Sequence, residues 1–389
     1  MHQQSASQRH GAGPKTFRAA EFFAGIGLVR LALESHGISV VFANDIDYDK
    51  LAMYKDNFDD QDFHLGDIHH LSAKDVPTCD LFTASFPCND LSIAGAMAGI
   101  NKGQSSSFWG FIRIVRQMGT RRPPLIMLEN VPGFLMSHGG SDFEVAMMAL
   151  NESGYVCDVL FLDAAQFTPQ SRRRLFVIAK KKKNSYSDVK LRPSILRPRV
   201  IVDFIVAHPN IHWDVVMLPD PPDLSLTLPD IVEDLPDDHH AWWNRERVEY
   251  FMGQLSERHL AVAKKMIDSV EISYGTAFRR IRRGRSMAEL RIDGLAGCLR
   301  TPRGGSGRQI LFKAGRGKYQ VRLLTPRECA RLQGVPDSYK INAPLNQALF
   351  GFGDAVCVPA VSWLVENYVL PELRKIVSVN TRAPVGSKT

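Results

Sequence analysis

The feature that most constrains this chain is a rhythm. Between Phe17 and Lys180, short apolar runs alternate with helical periodicity: FRAAEFF, then LVRLALES ending at Gly37, then SVVFA, and later DLFTASF, LIMLE and RLFVIA. Strands that alternate with helix-period segments are joined by crossovers, so the pattern predicts an α/β domain with a doubly wound, mostly parallel sheet. The rhythm stops after the lysine run 180–183. From Tyr186 to Leu323 the chain is rich in Pro, Trp, His and charge, with no sustained βα repeat, which marks an inserted, smaller unit. PRECARLQG and AVSWLVENYVL then read as amphipathic helices that return to cover the first domain. Both ends are polar and aperiodic and read as frayed tails. The expected divisions are a tail over 1–16, a first domain over 17–183, an inserted domain over 184–319, a returning segment over 320–374 and a tail over 375–389.

With 389 residues, 44% of them hydrophobic and 23% charged, the chain can bury the cores of two domains, and disorder of the whole is excluded. No stretch reads as the roughly 20 apolar residues that a spanning helix needs. The opening MHQQSASQRHGAGPKTF lacks the apolar core of a signal peptide, so a soluble protein with no membrane partner is expected. Cys79, Cys88, Cys157, Cys298, Cys329 and Cys357 form no CxxC pair, which points to reduced thiols and to no metal. A net charge of +7 suits a polyanionic partner without proving one.

Charge is unevenly placed in the middle unit. Residues 203–249 hold 11 Asp/Glu against Arg245 and Arg247, whereas residues 271–322 hold 13 Lys/Arg against Glu271, Glu289 and Asp293. A basic run is often only a solvated face. Here the neighbouring TPRGGSGRQ allows close backbone approach to phosphate, so Arg279, Arg280, Arg282, Arg283, Arg285, Arg303 and Arg308 are the candidate nucleic-acid contacts.

In the first domain, EFFAGIG closes an apolar run and opens the helical LVRLALES, a place where glycines let a ligand approach a helix N-terminus. Asp45 follows Gly25 by 20 residues, at the end of the next strand, where an acid can accept hydrogen bonds from ribose hydroxyls. Gly66-Asp67-Ile68 supplies a further acidic point. The set suits an adenosine-containing cofactor, with a tight structural turn as the alternative. Arg30 stands where a third glycine would be, which disfavours a pyrophosphate dinucleotide. S-adenosylmethionine has no phosphate and needs only room, a ribose acid and an adenine slot, which Asp45, Ile46 and Asp67 can supply.

The strand DLFTASF leads directly into Pro87-Cys88 and a stretch of small residues. A cysteine at the C-terminal end of a parallel strand lies on the ligand side of such a sheet, although most cysteines are inert core residues. LIMLE ends in Glu129, and Gln170-Ser171-Arg172-Arg173-Arg174 precedes another strand. A thiol, a carboxylate and arginines thus reach one rim, where arginine favours thiolate.

FFAGIGLVRLALES, FPCNDLS, LENVPGF, QSRRRLFVIA, LTPRECARLQGVP and GFGDAVCVPA, in this order and spacing, resemble the motif set of the bacterial DNA cytosine-5 methyltransferases over roughly residues 17–183 and 320–370. The resemblance implies a Rossmann-like methyltransferase domain, S-adenosylmethionine as cofactor and a target-recognition domain in the unmatched middle. It implies Cys88 as the nucleophile that adds to carbon 6 of a flipped-out cytosine, and Glu129 as the acid at ring nitrogen 3. Arg172 and Arg174 would contact the base and the Cys88 region, and Gln170 would lie at the DNA. Phe23, Gly25, Gly27, Asp45, Ile46, Asp67, Ile68, Pro87, Asp354 and Ala355 would line the cofactor pocket, with Asp45 on the ribose and Asp67 at the adenine amino group. Double-stranded DNA is the implied partner of a cytoplasmic, nucleoid-associated monomer, alongside a cognate restriction endonuclease that forms no stable complex with it. Three positions depart from the family pattern: Asn89 and Asp354 replace its usual Gln and Asn, and Gln104 stands where an arginine is common.

Rival readings are an RNA cytosine-5 methyltransferase, a catalytically idle DNA-binding regulator and a nicotinamide dehydrogenase. The first typically carries a Cys-Phe-Thr signature that this chain lacks, and the second should have lost Cys88 or Glu129. A missing glycine and the lack of a hydride-transfer constellation disfavour the third.

Overall fold

The computed structural model describes residues 17–87, 107–182, 191–282, 284–301 and 307–382. Seven strands form the first sheet: β1 (Phe17–Phe22), β2 (Ile38–Asp45), β3 (Phe63–Leu65), β4 (Leu81–Ala84), β5 (Leu125–Asn130), β6 (Tyr155–Asp163) and β7 (Arg173–Lys181), in the spatial order β3-β2-β1-β4-β5-β7-β6. Strands β1 to β5 pair in parallel, and β7 runs antiparallel between β5 and β6. Strand order reverses between β1 and β4, so their carboxyl ends open the crevice where such sheets bind ligands.

Nearly continuous burial along β4, β5 and β6 follows from helices covering both faces. One face packs the helix Leu28–Ser35 against the C-terminal helices, through Leu28, Ala32, Leu33, Val361 and Leu364. The other carries the helices Ser107–Gln117, Ser141–Glu152 and Arg199–Ala207 over Phe22, Phe82, Ile126 and Val177. The stretch Leu345–Ile376 corrects one expectation, since it is long and apolar enough to cross a membrane by length and composition. Its Val361, Leu364, Val365 and Tyr368 are buried in the core instead.

The second sheet is antiparallel: β8 (Ser273–Arg282), β9 (Arg285–Arg291), β10 (Ile310–Gly315) and β11 (Lys318–Leu323), in the order β11-β10-β8-β9. Phe251, Ala263 and Met266 from two helices pack on its Ala277, Leu290, Phe312 and Val321. The change of core does not fall at the expected positions. Ile201, Phe204, Ile205 and Trp213, beyond 184, belong to the first sheet's core, and a boundary at 319 would cut β11, whose Val321 and Leu323 pair with β10. Charge explains part of the early docking. Fully buried Asp158 on β6 receives two hydrogen bonds from Arg197, at 2.8 and 2.9 Å, and others from the Val216 amide and the Tyr368 hydroxyl. These tie residues 197–216 and the C-terminal helix to the first sheet.

Candidate active site

The loop after β1 is bent by three left-handed residues: Phe23 (φ 59°), Gly25 (φ 57°) and Gly27 (φ 81°). Gly27 caps the helix Leu28–Ser35, and a Cβ there would lie 2.5 Å from the Phe58 ring, so only glycine fits. Gly25 has open space, with Lys50 Cδ at 4.0 Å as the nearest atom to an added Cβ. Its amide donates to Asp45 Oδ2 at 2.8 Å, and the Asp47 amide donates to Asp45 Oδ1 at 2.9 Å. Asp45 therefore shapes the loop while each oxygen keeps a lone pair for a ligand hydroxyl. Behind it, Asn44 holds the carbonyls of His64 and Gly66, which brings Asp67 and buried Ile68 beside Asp45. Ile46 is 67% exposed, an apolar side chain left facing outward at the same rim.

Arg30, in the place of a third glycine, turns away into the protein. It donates to Tyr54 Oη at 2.7 Å and pairs with Glu34 at 3.1 Å. The C-terminal segment closes the loop from outside, with the Tyr339 hydroxyl donating to the Ile26 carbonyl at 2.6 Å.

Two polar groups sit orphaned beneath this loop. Glu21 and Thr83 are register partners on β1 and β4, each 2% exposed, and neither Glu21 oxygen nor Thr83 Oγ1 has a hydrogen-bond partner. Burial pushes the Glu21 carboxyl up to about 8, although Arg30 opposes the shift. The glycine cradle and the ribose-suited acid fit an adenosine-containing cofactor. Phe23, Gly25, Gly27, Asp45, Ile46, Asp67 and Ile68 would hold it, with Pro87 and the Asp354-Ala355 turn at its methionine end.

Next to this pocket the ends of β4 and β5 are stapled together. Asn130 Nδ2 donates to the Phe86 carbonyl at 3.2 Å, while Asn130 Oδ1 accepts from the Val131 amide. The residue before Asn130 is Glu129, 8% exposed and paired through Oε1 with Arg174 Nε at 3.0 Å. Cys88 lies outside the described residues; Phe86, two residues before it, is the residue that the staple ties to Asn130, next to Glu129.

The arginines and Gln170 divide their labour differently from expectation. Arg172 is 2% exposed and donates to the carbonyls of Leu299 (2.7 Å), Gly353 (3.1 Å) and Ala355. It joins the second unit, the C-terminal segment and β7. Gln170, expected at the DNA, is fully buried. Its amide nitrogen donates to the Leu332 carbonyl at 2.9 Å and its oxygen accepts from the Leu299 amide at 3.1 Å, so it is a brace. Cys298, which no sequence signal singled out, sits here too, accepting from Arg172 at 3.4 Å. Burial works against its thiolate, but Arg172, Arg174 and Arg300 outweigh burial and lower its pKa. Burial raises the other described thiols, Cys79 to about 12 and Cys357 to about 11, with Cys157 and Cys329 moving the same way.

The basic segment is not one surface. Successive strand residues face opposite sides, so Arg280 and Arg282 share a face, where both meet Glu289 at 3.7 and 2.5 Å. Arg279 turns the other way, against Trp243 and Tyr250, and donates to Gln254 at 2.9 Å. Arg285 is exposed at the hairpin end, and Arg308 reaches Asn346 at 2.5 Å. Arg283 and Arg303 lie outside the described residues.

Comparison with known proteins extends this geometry. The family model for C-5 cytosine-specific DNA methylases matches residues 17–369. The chain is 27% identical over 351 residues to the Type II methyltransferase M.HhaI of Haemophilus parahaemolyticus, covering 90% of this chain and 93% of the relative. It is also 27% identical over 349 residues to M.NgoBI of Neisseria gonorrhoeae, covering 89% and 90%. Among solved structures, the S. pombe Dnmt2 methyltransferase shares the fold at a TM-score of 0.59 and 19% identity, over 91% of this chain and 98% of that one. With a match over nearly all of its described length, the chain belongs to the C-5 cytosine-specific DNA methylase family and is an S-adenosylmethionine-dependent DNA cytosine-5 methyltransferase.

Proposed function

We propose that this enzyme methylates carbon 5 of a cytosine flipped out of a specific duplex sequence, through a covalent adduct on Cys88, as the modification arm of a restriction-modification system. The observation that supports the reading is the Asn130 staple, which ties the Phe86 carbonyl, two residues before Cys88, to the end of β5 that carries the Glu129–Arg174 pair, one strand from the switch point of the sheet.

Carbon 5 of cytosine is a weak nucleophile. The Cys88 thiolate adds to carbon 6, and a Glu129 carboxyl at ring nitrogen 3 stabilises the enamine that forms. Arg174 fixes the orientation of Glu129 through their 3.0 Å contact. The bound cofactor supplies the methyl group that carbon 5 takes. Loss of the carbon 5 proton to a base then restores the double bond and expels Cys88 as thiolate. A stacked base cannot be reached in this way, so the cytosine must leave the duplex. The second unit would read the sequence, docked to the catalytic domain by Arg172 and Gln170 through Leu299. The partner is duplex DNA, and the enzyme works as a monomer in the cytoplasm at the nucleoid, with a cognate endonuclease acting separately.

Bisulfite sequencing of DNA from cells expressing the chain tests both activity and target. One modified sequence context, absent in Cys88→Ala cells, is expected. Unmodified DNA in the presence of folded protein would overturn the reading.

A further inference from the structure

Asp354 is the last residue of the helix Leu345–Asp354, where a negative charge opposes the helix dipole. It also stands where the resembling family usually has an uncharged Asn. Its carboxylate meets Lys50 Nζ at 2.8 Å, across 304 residues of sequence. Lys50 lies in the helix Tyr48–Lys55 directly after the ribose-side turn, and its stem passes under Gly25. Its side chain is 19% exposed and that of Asp354 46%.

The other carboxylates facing Lys50 are Asp45 and Asp47, and both are met by backbone. Asp45 accepts from the Gly25 and Asp47 amides, and Asp47 caps the helix by accepting from the Asp49 and Lys50 amides at 2.9 and 3.2 Å. Burial works to lower the Lys50 pKa, but Asp354, followed by Asp45, outweighs it and holds the ammonium charged. Lys50 thus joins the glycine loop, the end of β2 and the Asp354-Ala355 turn, the three elements assigned above to the cofactor.

We propose that Lys50 and Asp354 form a charge-balanced pair that sets how strongly the pocket distinguishes the methyl donor from its demethylated product. This rests on the cofactor reading of the pocket given above. S-adenosylmethionine carries one more positive charge than S-adenosylhomocysteine, at the sulfonium. A bare Asp354 would favour the donor, and a bare Lys50 would favour the product. Paired, they leave the rim neutral, so that neither ligand gains from a fixed charge there.

The test is calorimetric titration of the purified enzyme with each of the two ligands, taking the ratio of their affinities. Lys50→Met should raise the preference for S-adenosylmethionine, and Asp354→Asn should lower it, each by about three- to tenfold at low salt and less at high salt. The double variant should return the ratio close to that of the parent, and Lys50→Arg should leave it unchanged. A purely structural latch would weaken both ligands together in both single variants and leave the ratio fixed, and that result overturns the proposal. So does a shift of the same sign in both. If the parent enzyme binds neither ligand, the cofactor reading itself falls with it. If it binds both and only the ratios fail to move, the pair alone has been misassigned. Lys50→Gln and Asp354→Ser make the same two charge changes and keep the test open should one single variant fold poorly.

Discussion

Arg174 on β7 holds Glu129 on β5 by a 3.0 Å contact between neighbouring antiparallel strands, both side chains nearly enclosed. The register pairs Glu129 with Phe176, two residues from Arg174 along the same side of the strand, so the contact is diagonal and set by the sheet.

Catalysis should depend on this pair and on the Cys88 thiol. Replacing Glu129 by Gln should lower the methylation rate by about 10²–10⁴-fold, the range of a positioned acid. Duplex carrying 5-fluorocytosine should trap the parent enzyme as a denaturation-resistant adduct, because fluorine cannot leave as a proton does. An adduct that persists in Cys88→Ala would remove the nucleophile assignment.

Asp45, the proposed ribose ligand, keeps one lone pair on each oxygen while the others hold the loop. Loss of a charge-assisted hydrogen bond costs roughly 1.5–3 kcal/mol, so Asp45→Ala should weaken S-adenosylmethionine binding by about 10- to 150-fold. Asp45→Asn should recover part of it by keeping a contact to the Gly25 amide. Equal affinities across the three proteins, measured by calorimetry, would place the ribose elsewhere.

Glu21 should make stability fall with rising pH. Its folded pKa, pushed up to about 8 by burial, lies above the ordinary value of 4.5, so the folded protein holds a proton that the unfolded chain has released. Stability is therefore lost progressively between about pH 4.5 and pH 8, each pKa unit being worth roughly 1.4 kcal/mol, and becomes level above that window. Glu21→Gln should flatten the decline, so its stability relative to the parent rises from pH 5 to pH 8 in chemical denaturation. Parallel curves for the two proteins would show that Glu21 is charged in the fold.

Arg322 and Glu328, both fully buried, form two hydrogen bonds, one of 2.6 Å, and Glu328 Oε1 also accepts from the Glu233 amide. Glu328→Ala strands a buried guanidinium and should cost about 3–5 kcal/mol. Arg322→Met together with Glu328→Leu should cost less than the single change, as read from urea midpoints.

On the second unit, Arg282 and Arg283 are the candidates for phosphate contact. Neutralising both should weaken binding to every duplex and reduce the salt slope by about 1 for each phosphate that is no longer neutralised; a guanine-reading arginine would instead cost about 1–3 kcal/mol of discrimination at one position. Asp237→Asn with Asp238→Asn should leave sequence preference unchanged. Binding isotherms at several salt concentrations decide this, and an acidic pair that alters specificity beside an inert arginine pair would reverse the charge map.

Local pattern was enough to reveal the parallel sheet, the glycine turn and the order of motifs, because strand alternation and tight turns are written in neighbouring residues. β1, β2, β4 and β5 follow the apolar runs closely. Partners far apart in sequence had no such signature. The family resemblance implied Arg172 at the base and Gln170 at the DNA, and only the fold shows their polar atoms taken up by Leu299, Leu332, Gly353 and Ala355. Residues 197–216 had lost the βα rhythm, yet they pack on the first sheet through Ile201, Phe204, Ile205 and Trp213 and through the Arg197–Asp158 pair. Lys50 and Asp354 are 304 residues apart, and their charge balance exists only where the returning C-terminal helix meets the glycine loop. Sequence by itself determined which chemistry the chain carries, since periodicity and motif order are local; tertiary structure decided which polar groups remain free to use it, since each buried donor and acceptor had to find its partner in space.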